Sequence, residues 1–119
     1  MKENVIKEKS KRFAVRIVEM YKYLQSEKSE MVMSKQLLRS GTSIGANVSE
    51  GVYAQSKGDF LSKNSIALKE AAETEYWLEL LKETQYITEK QHHSINEDCR
   101  EIIKLLIAIT KNTKSSMSN

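Results

Sequence analysis

One spacing in the sequence could place two metal ligands on the same face of a helix. Glu89 and His92 stand three residues apart, as in the ligand pairs of di-iron carboxylate bundles. Such a site needs two of these pairs and two further glutamates, whereas the sequence supplies one pair. The pair also lies in the run Thr88–Gln91, whose Thr and Gln fit a helix-capping box. We therefore predict no metal site and no cofactor.

Nucleophilic catalysis would require a thiol or hydroxyl held against a base. Cys99 shares an apolar helical stripe with Ile95 and Ile102, which predicts a buried and unreactive thiol. A group of four glutamates precedes it: Glu70, Glu73, Glu75 and Glu79. They point in different directions at 100° per residue, which predicts solvated or ion-paired carboxylates rather than an acid–base pair. We identify no small-molecule substrate and predict that the chain is not an enzyme.

The segment 36–51 combines the apolar period of a helix with three glycines. Each glycine costs a helix interior about 1 kcal/mol relative to alanine, so larger side chains must be unsuitable there. A phosphate-binding loop is not indicated, because no strand precedes the segment and the Gly-Lys-Ser/Thr ending is absent. Three small residues fall on one line of the helix: Gly41, Gly45 and Ser49. We predict close packing of another helix against this line in preference to ligand contact.

Four polar residues of the same segment share a second face, within about 80° around the helix axis. These are Arg39, Ser43, Asn47 and Glu50. We predict that they form a polar assembly network that fixes the arrangement of helices or subunits. Arg39 is expected to pair with a carboxylate of the third helix or of a neighbouring subunit.

Positive charge is concentrated near the N-terminus. The chain has a net charge of +3, and its first 28 residues carry eight Lys or Arg against four acids. One flank of the first helix holds Lys9, Arg12, Arg16 and Tyr23. A basic flank with an aromatic residue is typical of a phosphate-contacting surface, so we consider it a candidate nucleic-acid contact. The alternative is a solvated, lysine-rich face.

The elements that position these residues follow from composition and apolar spacing. The 119 residues include no proline and few glycines, which favours long helices with short links. Apolar spacing predicts four helices, over residues 4–25, 29–54, 57–86 and 88–112. Short links make successive helices antiparallel, so we predict an all-α, up-down-up-down four-helix bundle. The bundle is expected to occupy residues 1–112, followed by a frayed polar tail over 113–119.

The third predicted helix is apolar on two sides. Its second apolar side carries Ile66, Tyr76, Trp77 and Leu80. One interpretation is an oligomer contact. The other is that Trp77 lies flat over its own bundle.

The sequence also carries expectations about location. No apolar run approaches the roughly 20 residues of a membrane span, so we expect no membrane partner. A single cysteine excludes an intramolecular disulfide, and the N-terminus leads into a charged helix rather than an apolar signal core. We expect a cytoplasmic protein.

Several segments together resemble a known family. They are the run RSGTSIGANVSEG over Arg39–Gly51, then Gly58–Phe60, Ala67 and Glu73–Leu78. These residues resemble the four-helix-bundle proteins encoded in intervening sequences of bacterial 23S rRNA genes, which are also labelled a ribosomal-protein family. The resemblance covers nearly the whole chain, and its most specific part is the run Arg39–Gly51 in the second predicted helix.

The resemblance implies an antiparallel four-helix bundle with no established enzymatic activity. Members are similar to the accessory proteins of diversity-generating retroelements, which form pentameric rings and bind nucleic acid through a basic surface. The resemblance therefore implies that this chain forms a homo-oligomer, a pentamer, and that it binds RNA or DNA. Two hypotheses follow: an oligomeric scaffold that binds nucleic acid, or an oligomeric protein-interaction module with no nucleic-acid role.

Overall fold

A computed structural model describes the backbone of residues 2–118 and the side chains of residues 5–118. It contains four α-helices: α1 (Lys2–Lys28), α2 (Met33–Val52), α3 (Lys57–Glu83) and α4 (Glu89–Ser118). Each helix packs against the next, and α4 returns to α1, so that a rod of 51 × 21 × 21 Å results. The predicted all-α, up-down-up-down four-helix bundle is confirmed.

The core is built from the apolar stripes of all four helices. Each stripe follows the three- and four-residue spacing of a helix face. The largest fully buried apolar side chains are Ile6, Phe13, Ile17, Leu24, Leu37, Ile44, Leu78, Leu81, Ile95, Ile102 and Leu106. Small residues of α3, Ala67 and Ala71, are fully buried between them. The contact between α1 and α4 is the sparsest of the four, and charged side chains border it.

The α1–α2 link is held by a buried carboxylate. Ser29 adopts a left-handed backbone (φ 51°), and the next amide, that of Glu30, bonds to the Leu24 carbonyl at 3.0 Å, which closes α1. The Glu30 carboxylate accepts backbone N–H bonds from Val32, Met33 and Ser34 at 3.1, 3.0 and 2.7 Å. It therefore caps the first turn of α2, where the helix dipole favours negative charge.

The other two links end in side-chain caps. Ser56 Oγ accepts the backbone N–H of Asp59 at 3.1 Å and begins α3. Thr88 Oγ1 accepts the backbone N–H of Gln91 at 3.1 Å, and Gln91 Oε1 accepts that of Thr88 at 2.8 Å. The reciprocal pair confirms the predicted capping box before α4.

Every predicted helix boundary except the start of α3 differs from the observed one, by one to six residues. α1 spans Lys2–Lys28 rather than 4–25, α2 ends at Val52 rather than at 54, and α4 begins at Glu89 rather than at 88. α2 begins at Met33 rather than at residue 29, because the left-handed Ser29 and the Glu30 cap occupy the intervening residues. α3 ends at Glu83 rather than at 86, since Gln85 is left-handed (φ 68°).

The largest difference is at the C-terminus, where α4 continues to Ser118 instead of ending at Asn112. Residues 113–118 are therefore helical rather than a frayed tail, and Asn119 lies outside the described residues. No proline or glycine interrupts this part of the chain. Contacts also hold it: Thr113 Oγ1 donates to the Ile109 carbonyl at 2.7 Å, and Ser116 Oγ bonds to Lys57 of α3.

Two glycines of α2 lie where that helix approaches α1 most closely. A Cβ on Gly41 would lie 2.7 Å from both γ-carbons of Ile17. A Cβ on Gly45 would lie 3.3 Å from the backbone carbonyl oxygen of Ser10. Ile17 is fully buried and β-branched, so its γ-carbons have little freedom to move away. The α1–α2 distance therefore depends on the missing side chain at Gly41.

Gly41→Ala should destabilise the protein by about 1–2 kcal/mol, because overpacking against Ile17 outweighs the gain in helix propensity. Gly58→Ala is the matched control, since its nearest neighbours would lie at ordinary contact distances of 3.8 and 4.0 Å. That variant should be stabilised by up to about 1 kcal/mol. Urea unfolding measures both, and equal effects of the two substitutions would contradict the close approach.

Glu30→Gln should destabilise the fold by about 1 kcal/mol at neutral pH, the usual cost of a lost helix cap. Burial raises the pKa of the Glu30 carboxyl, but the backbone donors of Met33, Ser34 and Val32 outweigh burial and lower the pKa overall. A lowered folded-state pKa means stabilisation that is present above the ordinary glutamate pKa and is lost as pH falls through the folded-state value. Urea midpoints measured from neutral to acidic pH should converge for the two proteins, and a constant difference would contradict this account.

Candidate functional site

The basic flank predicted on α1 is paired with acids inside the molecule. Lys9 Nζ lies 3.2 Å from Glu101 Oε1 of α4. Arg16 Nη1 lies 2.7 Å from Asp98 Oδ2 of α4. The guanidinium of Arg16 also donates to the carbonyl and hydroxyl of Ser94, at 3.1 and 2.9 Å.

The remaining two residues of the flank are engaged as well. Arg12 pairs with Glu8 one turn earlier, at 2.6 Å, and Tyr23 is half-buried against the core. Each of the three cations thus faces one carboxylate, and the flank with its partners carries no net charge. Exposed pairs of this kind contribute roughly 0–1 kcal/mol to stability, but they remove the excess positive potential on which the predicted nucleic-acid contact depends.

Sequence reasoning missed the α4 partners of this flank. Ser94, Asp98 and Glu101 follow one another at steps of four and three, the spacing of one helix face. Lys9 and Arg16, seven residues apart on α1, have the complementary spacing. The signal was present, but matching the two lines requires the relative register of α1 and α4.

The polar stripe of α2 consists of the four predicted network residues: Arg39, Ser43, Asn47 and Glu50. Its side chains form most of their hydrogen bonds within their own helix. Ser43 Oγ donates to the Arg39 carbonyl at 2.6 Å, and Asn47 Nδ2 donates to the Ser43 carbonyl at 2.9 Å. Glu50 reaches α3, where its Oε1 lies 2.9 Å from Lys63 Nζ. Among the described residues, no hydrogen bond or ion pair joins the side chain of one of these four residues to the side chain of another. A network that includes a second subunit stays a prediction.

Arg39 does not find the expected carboxylate on α3. It is exposed, and within residues 5–118 no acid lies within ion-pair distance of its guanidinium. Two carboxylates of α3 are occupied elsewhere: Glu73 accepts the indole N–H of Trp77 at 3.0 Å, and Glu75 pairs with Arg100 of α4 at 3.3 Å. Pairing with a neighbouring subunit is the alternative that remains.

A buried hydroxyl pair joins α2 to α3 in place of the predicted ion pair. The hydroxyls of Ser40 and Thr74 share a hydrogen bond of 3.0 Å, and both side chains are buried. Thr74 Oγ1 also lies 2.8 Å from the Glu70 carbonyl of its own helix. Ser40 lies within the segment 36–51, but the sequence pattern does not distinguish it from the half-buried Ser43.

The outer face of α3 divides into exposed and half-buried residues. Tyr76 and Ile66 are 57% and 38% exposed. Trp77 packs against the core and meets Tyr76 edge-on, with ring centroids 5.1 Å apart. Leu80 is half-buried. The structure therefore places Trp77 on its own bundle, and Tyr76 and Ile66 are the apolar residues of this face that are open to a partner.

The groups that could carry chemistry are buried or occupied. Burial raises the pKa of the Cys99 thiol to about 12, and the nearby Glu75 adds to this effect. His92 is half-buried rather than on the surface, and burial lowers its pKa, with help from Lys82. Among the described residues, no three His, Cys, Asp or Glu side chains are grouped as metal ligands.

An open groove of about 680 Å³ crosses the end of the bundle that holds the α2–α3 link. Its lining includes Phe60, Ser56 and Lys57 of the α3 N-terminus, and Asn112 and Ser116 of α4. No Asp, Glu, His or Cys is among the described residues that line it, so the groove offers no acid–base pair. Across residues 2–118, no helix has both the length and the apolar character that crossing a bilayer requires.

These features define a class: an antiparallel four-helix bundle in which the polar side chains described above form caps, ion pairs and helix contacts. The family model of the 23S rRNA-intervening sequence proteins matches residues 2–108, and the chain belongs to that family. The predicted family resemblance is confirmed.

A crystal structure from Bacteroides thetaiotaomicron shares the fold. It is described as a protein with unknown function from the S23 ribosomal protein family. The two sequences are 65% identical, the match covers 93% of this chain and 99% of that one, and the TM-score is 0.92. Among proteins with curated functions, none matches the chain.

Proposed function

We propose that the protein is a non-enzymatic, homo-oligomeric scaffold, a pentamer, that binds RNA or DNA through a basic surface. The observation that carries the oligomer is the outer face of α3, where Tyr76 and Ile66 are exposed beside the half-buried Trp77. Aromatic residues are enriched at the centres of protein interfaces. The family relationship adds support, since the resemblance to ring-forming accessory proteins implies the same assembly.

The state of the potential catalytic groups supports the absence of enzymatic activity. The single thiol is buried, with a pKa raised by burial to about 12, so it is protonated at neutral pH and is a poor nucleophile. Glu75 pairs with Arg100, and Glu73 accepts the Trp77 indole N–H. These two carboxylates therefore form bonds that stabilise the fold.

The neutral α1 flank favours a second candidate function. Lys9, Arg12 and Arg16 each hold a carboxylate, which weakens the case for nucleic acid at that flank. The alternative is therefore an oligomeric protein-interaction module with no nucleic-acid role.

The oligomer is tested by light scattering on the full chain. The wild type should have a molar mass of five times 13.7 kDa. Tyr76→Lys should reduce this mass, because a charge would be buried in the interface. Val15→Lys is the matched control, since Val15 is a similarly exposed apolar residue on α1, 54% exposed, and it should leave the mass unchanged. A monomeric wild type would contradict the proposal.

Binding to nucleic acid separates the two candidate functions. Fluorescence anisotropy with a labelled mixed-sequence RNA or DNA at low salt should show binding that weakens steeply as salt is added, because phosphate contacts release counterions. The absence of binding at low salt would leave the protein-interaction module as the better account.

A further inference from the structure

The charges of the bundle are separated along its length. We divide the bundle into two halves at the level of two contacts near its middle, Ser40 with Thr74 and Cys99 with Ala71. The half that holds the α2–α3 link comprises residues 5–15, 42–70 and 102–118, with ten Lys or Arg against four acids. The opposite half, residues 16–41 and 71–101, has eight against eleven. The net charges are therefore +6 and −3.

Within the positive half, the C-terminal part of α4 carries lysines without acids. From Ile102 to Ser118 the helix contains Lys104, Lys111 and Lys114 and no Asp or Glu. At 100° per residue, these three lysines and Arg100 fall within about 80° of each other. Arg100 reaches Glu75 of α3, so this side of α4 borders α3.

Lys57 of α3 adds positive charge at the same end of the bundle but on another side of α4. Its ammonium group bonds to Ser116 Oγ, and Ser116 lies about 120–160° around α4 from the three lysines of that helix. We call Lys104, Lys111 and Lys114, on the side of α4 that borders α3, the α3–α4 lysine face. All three are exposed, and within residues 5–118 none has a carboxylate at ion-pair distance.

We propose that the α3–α4 lysine face, rather than the α1 flank, binds the phosphate backbone of a nucleic acid. This inference rests on the proposed function and specifies where the basic surface lies. The lysines on α4 span about 15 Å along the helix and present unpaired ammonium groups to a repeating anion. The three cations of the α1 flank, in contrast, already pair with Glu101, Glu8 and Asp98.

The side chains on this face predict the kind of recognition. Lysine acts as a point charge without the planar fork of arginine, which suits it to contacts with phosphate. No Phe, Tyr or Trp occurs in α4, and its histidines, His92 and His93, lie at the opposite end of the helix from Lys111 and Lys114, so the lysine face offers no ring on which a base can stack. Binding should therefore be independent of base sequence and strongly dependent on salt.

An acidic protein or an anionic membrane fits this face less well. Ile107 and Met117 are the exposed large apolar side chains among the described residues of α4, at 50% and 48%. A protein interface needs a larger apolar core, and interfacial membrane binding needs an apolar helix face that inserts. A line of charges with little apolar area suits a phosphate backbone.

The test compares two triple variants of the full chain that lose equal charge. The lysine-face variant combines Lys104→Gln, Lys111→Gln and Lys114→Gln and so removes the charges of the α3–α4 lysine face. Lys22→Gln, Lys28→Gln and Lys35→Gln are the matched control, because these lysines are exposed and lie in the negative half. Anisotropy with a mixed-sequence RNA and a DNA of equal length, single- and double-stranded, gives log K against log salt for each protein. Circular dichroism and light scattering establish that both variants keep the wild-type fold and mass.

In the lysine-face variant, the slope of log K against log salt should be less steep by about two to three, since each lost phosphate contact reduces its magnitude by roughly 0.7–0.9. The control should keep the wild-type slope. A wild-type protein that binds, with equal slopes for both variants, would overturn this inference and leave the proposed function in place. A wild-type protein that binds no nucleic acid at low salt overturns both. Binding to anionic vesicles or polyglutamate with the same dependence on the lysine face would overturn the choice of partner.

Discussion

The close approach of α2 to α1 at Gly41 is the constraint on which the rest of the bundle depends. Because a Cβ at this position would lie 2.7 Å from Ile17, the α1–α2 distance is set by the absence of a side chain. The same approach directs Leu37, Ile44 and Val48 into the core and leaves the polar stripe of α2 outside. The glycines of the segment 36–51 thus have a structural explanation within a single chain, before any partner is considered.

Ion pairs and unpaired charges divide the surface into regions with different roles. Along α1 and α4 the pairs of Lys9 with Glu101 and of Arg16 with Asp98 close the sparsest helix contact. These charges are matched within the fold and leave little field outside it. The lysines of the C-terminal half of α4 have no such partners among the described residues. The count of basic residues along the sequence therefore indicates α1 as the phosphate-binding surface. The three-dimensional arrangement of charges instead indicates the side of α4 that borders α3.

Much of the fold could be predicted because its determinants are local. The core stripes, the Thr88–Gln91 capping box and the small-residue line of α2 depend on spacings within one helix. The pairing of Arg16 with Asp98, 82 residues away, could not be predicted, since it depends on the register between helices. The expected pairing of Arg39 with a carboxylate of α3 was wrong for the same reason. The end of α4 was missed for the same reason, because Lys57 of α3 holds Ser116. Glu30 was overlooked because its cap acts across a turn with a left-handed residue.

The central claim is that nucleic acid binds the unpaired lysines on the side of α4 that borders α3 and not the neutralised flank of α1. Lysine acetylation footprinting of the full chain, with and without a mixed-sequence RNA at low salt, tests it most directly. Mass spectrometry reads the modification rate at every lysine in one experiment. We expect RNA to slow acetylation at Lys104, Lys111 and Lys114 and to leave Lys22 and Lys35 unchanged. Protection confined to Lys9 and Lys11 of α1, or equal protection at all lysines, would contradict the account.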